Sequence, residues 1–477
     1  MRIPPGRPKT LARTAFLAAL LLAVRAGARD LTEILTEKGA LTPDEAAEAA
    51  KAPPAEPTIQ YRQGSGFVFT TPGGNFQLAT GVWGQFRYTL QDVDEDFTNA
   101  KKSTEDSQSF DVPRIRTYWK GHAFTPSLRY EIEVEWNASG GDLLRNVYGE
   151  YAILDGQWLT FRGGQWKVPF CREEMTPDSR QEFNERSVAC QNFRFERARG
   201  IQLYGTPMNS LLEYYLGAFN TTGRNGPPNP DTNFLYVARL ATSPLGAVGY
   251  SEGDLQDSPD PLFGVGASYG YERVRADGFT TAATSATSST DPDQLVIQSD
   301  GTPVNRVPVQ RMIQPYYAQL SKPGALTAEL QNVEVDFAFR WHGAFVEAEY
   351  FKLFVHNDAW TSAAAPSPPF ELPQSSFQAW GWYALAGYFV IPHKLEMALR
   401  YSACTPNQDY RVVKPNGRAI EPFQTELLGA VNYYFWGHDL KLMTDFGPIS
   451  TAGVEAVDGT IETQNDFRCR IQAQMYF

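Results

Sequence analysis

Apolar and polar residues alternate one by one over long stretches of this chain, most plainly from Asp466 to Phe477. There Phe467, Cys469, Ile471, Ala473, Met475 and Phe477 are apolar, while Arg468, Arg470, Gln472, Gln474 and Tyr476 are polar. A period of two is that of a β-strand with one greasy face and one wet face. The segment 127–137 repeats it: Leu128, Tyr130, Ile132, Val134 and Trp136 oppose Arg129, Glu131, Glu133, Glu135 and Asn137. In 331–345, Val333, Val335, Phe337, Phe339 and Trp341 oppose Glu334, Asp336, Arg340 and His342. From Asn75 onward the pattern predicts sixteen strands, at 75–91, 112–123, 127–137, 144–154, 158–167, 199–206, 211–220, 233–242, 262–271, 331–342, 344–356, 377–390, 394–403, 423–436, 439–447 and 466–477.

The connections sort by length. Long ones (92–111, 138–143, 168–198, 221–232, 272–330, 357–376, 404–422 and 448–465) alternate with short ones such as Phe124-Thr125-Pro126, Asp155-Gly156-Gln157, Gly343 and Gly437-His438; only 243–261 breaks the rule. An even strand count with long external loops and short periplasmic turns is the pattern of an outer-membrane barrel. A soluble sandwich alternates in the same way within each strand, but it has no reason to sort its loops by parity. The fold class predicted is therefore all-β, a 16-stranded antiparallel transmembrane β-barrel. Its charged face then lines a wet lumen, because an unpaired charge in a dry interior costs several kcal/mol. Sixteen strands leave room for an aqueous channel.

The N-terminus predicts the compartment. Arg2, Arg7, Lys9 and Arg13 precede an apolar run from Ala15 to Val24 and the small residues Ala26-Gly27-Ala28, which reads as a signal peptide over 1–28. The run is shorter than the about 20 residues a membrane helix needs, so a membrane location requires a closed barrel. Residues 29–62 read as a helical extension, with Thr42 and Glu45 spaced as a capping box, ending in the stiff linker Pro53-Pro54-Ala55-Glu56-Pro57; residues 63–477 read as the barrel.

Composition changes the picture little. A net charge of -12 and a mean hydropathy of -0.36 sit beside 13% aromatic residues, a mixture that barrels show because half of each strand faces water and aromatic girdles mark the interfaces. The negative charge argues against nucleic acid as a partner. A barrel enzyme is the competing class, but the two Gly-x-Ser-x-Gly spellings, Gly249 to Gly253 in the connection 243–261 and Gly266 to Gly270 inside the strand 262–271, do not sit at a predicted strand-to-helix turn, as a nucleophile elbow requires. His342 and His356 share a hairpin without metal-ligand spacing, so no metal and no cofactor is expected.

One block is less generic: Phe161-Arg162-Gly163-Gly164-Gln165-Trp166-Lys167-Val168-Pro169-Phe170-Cys171-Arg172-Glu173-Glu174, then Phe183-Asn184-Glu185-Arg186-Ser187 and Arg197-Ala198-Arg199-Gly200-Ile201-Gln202-Leu203-Tyr204-Gly205. It resembles the phosphate-selective porin O and P family, and the likeness extends more loosely over Asn75 to Phe477, including Asp111-Val112-Pro113-Arg114-Ile115-Arg116. The resemblance implies a homotrimeric outer-membrane porin whose third external loop folds into the lumen, with the lipid bilayer and small anions such as phosphate as partners. Counting strands independently makes 168–198 that loop.

Arg114, Arg116, Tyr118, Lys120 and His122 share one face of their strand, Arg468 and Arg470 come inward from the last strand and Arg87 from the first. With Lys167, Arg172 and Arg186 at the loop, these give nine candidate anion contacts: Arg87, Arg114, Arg116, Lys120, Lys167, Arg172, Arg186, Arg468 and Arg470. Rings of Arg and Lys favour anions and phosphate. The competing reading is that the arginines pair with Glu131, Glu133 and Glu135 next door, which leaves phosphate, anions in general and a cation-tolerant general porin open as solutes. Cys171 and Cys190 lie in the same loop as a candidate disulfide, which their Cα separation decides.

Overall fold

The computed structural model describes residues 56–97, 106–137, 143–154, 157–226, 232–275, 327–357, 376–405, 423–456 and 458–477, with a few isolated positions besides. The predicted signal peptide and residues 29–55 of the predicted extension lie outside the described residues; of its remainder, Thr58–Arg62 form a strand.

The sixteen predicted strands are all formed, and a short hairpin, β1 (Thr58–Arg62) and β2 (Gly66–Thr70), precedes them. They are β3 (Gln77–Asp92), β4 (Ser107–Ala123), β5 (Thr125–Glu135), β6 (Leu144–Leu154), β7 (Leu159–Lys167), β8 (Arg197–Gly205), β9 (Leu212–Phe219) and β10 (Leu235–Thr242) in the first half. The second half holds β11 (Leu262–Arg275), β12 (Thr327–Trp341), β13 (Ala344–Asn357), β14 (Ser376–Ile391), β15 (Leu395–Thr405), β16 (Phe423–Trp436), β17 (Leu440–Glu455) and β18 (Ile461–Tyr476). From β3 on, each pairs antiparallel with the next, and β18 returns to β3 in register from Phe467↔Asp92 to Tyr476↔Trp83. That pairing closes the barrel, so no unpaired edge meets hydrocarbon.

At the seam the Phe477 N–H donates to the Val82 carbonyl at 2.9 Å and the Val82 N–H donates to Phe477 at 2.6 Å. Beyond Phe477, β2 takes over the same edge of β3, from Phe67↔Thr80 to Thr70↔Gln77, and β1 pairs with β2. The hairpin is not among the predicted strands: β1 alternates Ile59 and Tyr61 with Thr58, Gln60 and Arg62, but over five residues only and with none of them buried, so its strand form rests on pairing with β2.

The alternation maps onto the two faces of the wall. Ile132, Val335, Trp341, Ile471 and Met475 are exposed outward, while Glu135, Glu334, Arg340, Arg470 and Gln472 are buried inward. A continuous band of exposed hydrocarbon around a cylinder needs a bilayer to cover it. At one rim β17 and β18 run on to Glu455 and from Ile461, shortening the external connection expected over 448–465. The extra rungs carry polar side chains, as where Ser450 Oγ of β17 donates to Asn465 Oδ1 of β18 at 2.7 Å, so hydrophobic patterning could not reveal them.

Candidate functional site: the barrel interior

Loop L3 (168–196) leaves β7 and folds inside the barrel, carrying two short helices, α1 (Arg172–Met175) and α2 (Val188–Phe193). Ser187 caps α2 by accepting from the Cys190 N–H at 3.1 Å. Along one side, charge ties the loop to the wall. Arg87 and Arg114 both reach Glu185, at 2.5 and 2.6 Å, and Arg116 reaches Asp178 at 2.7 Å. Farther round, the backbone N–H groups of Asn184, Val188 and Ala189 donate to Asp445, Glu426 and Ser402 at 2.9, 3.2 and 3.1 Å. The loop also has an apolar side: Phe193 stacks on Phe351 at 5.4 Å, within a core that includes Leu330, Leu353 and Phe377. Thus part of the inner face, expected to be wet throughout, is a packed core between loop and wall.

From the opposite rim a second segment enters. Turn T4 (243–261), the connection that breaks the length rule, packs against L3: the Glu182 N–H donates to Glu252 at 2.6 Å and the Gly253 N–H to Glu182 at 3.0 Å. Arg340 donates to the Val248 and Ser251 carbonyls, and the Gly343 N–H donates to Asp254 at 2.9 Å. This inward course explains its length, and that length is the signal of it in the sequence.

Between the wall of β3–β9, L3, T4 and the tip of the β1–β2 hairpin there remains a cavity of about 990 Å³. Of the nine candidate basic residues, Arg116, Lys120 and Lys167 border it. Arg87, Arg114 and Arg470 are sealed between L3 and the wall, Arg172 is buried against β13 and T4, and Arg186 is buried within the loop's own contacts. Arg470 pairs with Asp445 at 2.7 Å, Arg172 with Glu347 at 3.2 Å, and Arg186 with Glu174 at 2.9 Å. Arg468 does not border the cavity. Arg162, Arg180 and Arg197 do; Arg162 is legible from its inward position on β7, Arg180 and Arg197 only as members of a charged loop.

The cations around the cavity differ in what neutralises them. Arg116 is held by Glu135 at 2.5 Å as well as Asp178, and Arg162 by Glu150 at 2.6 Å. Arg197 donates to Asn146 at 3.0 Å with Glu133 at 3.7 Å. Lys167 donates to the carbonyls of Glu174 and Thr176 at 2.6 and 3.0 Å. Lys120 and Arg180 enter no ion pair and no side-chain hydrogen bond among the described residues; Lys120 Nζ lies 5.0 Å from the Tyr118 ring. The facing carboxylate Glu131 is engaged, accepting from Asn146 at 2.6 Å and Tyr148 at 2.8 Å. Lys120 and Arg180 are thus the cavity cations with no carboxylate within ion-pair distance among the described residues.

Cys171 and Cys190 are buried free thiols whose sulfurs lie 3.6 Å apart, in hydrogen-bonding contact rather than joined; a disulfide would need about 2.05 Å. In this structure the loop is braced by its ion pairs.

The family described as phosphate-selective porin O and P matches residues 82–288. No curated protein matches the sequence. Among solved structures, a loop-deletion form of OmpT, an outer membrane protein of Vibrio cholerae, is similar at 12% identity and TM-score 0.48, over 84% of this chain and 99% of that one. An anion-selective porin from Comamonas acidovorans is similar at 9% identity and TM-score 0.47, over 83% and 100%. The channel DcaP of Acinetobacter baumannii gives 13% and 0.46, over 84% and 97%. Residues 82–288, which span β4 to β11 and the inserted loop, are thus similar to the phosphate-selective porin O and P family, and the closed barrel to which they belong has the architecture of an outer-membrane porin.

Proposed function

We propose that this porin passes small anions by diffusion through the cavity between β3–β9 and L3. The observation that carries the reading is the pair Lys120 and Arg180, cations on the cavity without an ion-pair partner among the described residues, beside carboxylates that are already engaged. A passing anion thus meets unspent positive charge, the condition for anion selectivity in a narrow pore. Of the candidates read from sequence, we assign solute contact to Arg116, Lys120 and Lys167, joined by Arg162, Arg180 and Arg197. Arg87, Arg114, Arg172, Arg186 and Arg470 we assign to holding L3.

The test is the reversal potential of single channels in a planar bilayer under a KCl gradient. Wild type should favour chloride, and K120E combined with R180E should move the potential toward cations; a cation-selective wild type would overturn the proposal. Adding inorganic phosphate to the same membranes tests phosphate as solute, with reduced chloride current as the expected result. Family resemblance supports a homotrimer, which cross-linking in detergent would reveal, and residues 1–28 support export, to be checked by the N-terminus of the mature protein.

A further inference from the structure

The lining of the cavity is richer in rings and hydrocarbon than a path for hydrated inorganic ions calls for. Tyr148, Tyr204 and Tyr215 stand on it from β6, β8 and β9, with the last two stacked at 5.7 Å and nearly parallel. Between Tyr148 and Tyr204 the Arg162 guanidinium lies 4.3 and 4.9 Å from the two rings. Its charge is met by Glu150, so it serves to hold the two rings in place rather than to attract a carboxylate. L3 adds Met175 and Pro177, the first half-buried and the second exposed. Lys167 fixes this stretch against β7 by donating to the Glu174 and Thr176 carbonyls.

Apolar surface left open to water gives up about 25 cal/mol for each Å² that a ligand would cover. An inorganic anion covers none of it, and a sugar acid would need polar partners where Met175 and Pro177 offer none. A flat ring bearing one carboxylate satisfies both halves of the lining. We infer that the cavity holds small aromatic carboxylates, the ring on the Tyr148–Arg162–Tyr204 surface and the Met175–Pro177 stretch, the carboxylate toward Lys120 and Arg180. The inference rests on the anion reading above and narrows it to one solute class.

The test uses the full-length porin in planar bilayers, with sodium benzoate or sodium acetate added to one side in KCl. Benzoate should block or modulate the current at a concentration about tenfold lower than acetate, the scale expected of one well-placed ring contact. In M175Q and, separately, Y204S, each first checked for heat-modifiable mobility, the benzoate-to-acetate ratio should fall below about threefold. Equal potency of the two acids on an anion-selective wild type would overturn this inference and leave the anion reading standing. An unchanged ratio in both folded variants would overturn it as well. A cation-selective wild type would remove the anion reading beneath it, and that result comes from the reversal potential alone.

Discussion

Arg116 on β4 joins the barrel wall to the inserted loop, reaching Asp178 of L3 at 2.7 Å and Glu135 of the neighbouring strand at 2.5 Å. One cation between two carboxylates is a clamp, and all three groups are buried. Breaking a buried pair from one side costs up to about 3–5 kcal/mol, because the abandoned charge is left poorly solvated and without its partner. R116Q should therefore loosen L3: single-channel currents should become noisier, and the heat-modifiable transition should come at lower temperature. Steady currents and an unchanged transition would show that the clamp is dispensable.

Two carboxylates at the inserted segments give opposite pH responses. Burial alone would raise the Asp178 carboxyl, but Arg186, Lys167 and Arg116 outweigh it and hold it well below its ordinary value of 3.8. Burial, then the charges of Glu173 and Glu347, push Glu252 of T4 well above its ordinary 4.5. Stability from ionised Asp178 is present above that ordinary value and is lost only as pH falls through the lower folded one. Glu252 costs nothing while it is protonated in both states, and its penalty grows as pH rises above 4.5 toward the folded value. Acidifying from about pH 8 to about pH 5 should thus spare Asp178, relieve Glu252 and raise the thermal midpoint. E252Q should lift the midpoint at about pH 8 and reduce that rise; a variant with the wild-type profile would exclude Glu252 as its source.

The wall was legible because a lipid-facing strand must alternate, and residues such as Ile132 and Glu133 declare their sides one by one. The hairpin β1–β2 and the outer rungs of β17 and β18 were not, since the hairpin strands are only five residues each and the outer rungs carry no regular apolar face. The interior was legible as chemistry but not as geometry. Which arginine is spent on Glu185 or Asp445 and which stays open to solute depends on where L3 comes to rest, and that is set by contacts hundreds of residues apart, such as Asn184 with Asp445. The packed side of the lumen was hidden for the same reason: Phe351 and Leu353 point inward into Phe193 and its neighbours, a partner that strand periodicity cannot show.

Adjacent glycines in the resemblance block carry different constraints. Gly164 sits at φ 140°, and a Cβ there would collide with the Val147 carbonyl and come within 2.6 Å of Tyr148 Cα. At Gly163 the nearest atom to an added Cβ is the Phe161 ring, 3.8 Å away. G164A should cost several kcal/mol, as strain and backbone overlap add, and should sharply reduce the folded band on unheated gels. G163A should fold like wild type. Equal yields from the two variants would mean that β6 and β7 can separate at this rung without cost.

The β1–β2 hairpin is fastened over one end of the cavity. Tyr61 donates its hydroxyl to Asp439 at 2.9 Å, the Gly64 N–H donates to both oxygens of the same carboxylate at 3.2 Å, and Tyr476 donates to the Gly64 carbonyl at 3.2 Å. Gln63 and Gly64, at the tip, border the cavity, so the fastening fixes how wide that end stands open. D439A removes the acceptor for Tyr61 and Gly64 at once, a loss of about 1–3 kcal/mol if each bond contributes an ordinary share. The tip should then leave its seat part of the time, and mean single-channel conductance should rise while the barrel keeps its heat-modifiable mobility. Y61F, which removes one bond, should give a smaller rise. If conductance stays at the wild-type value in both, the narrowest point of the path lies at L3 and T4, and the hairpin serves only to cover the edge of β3.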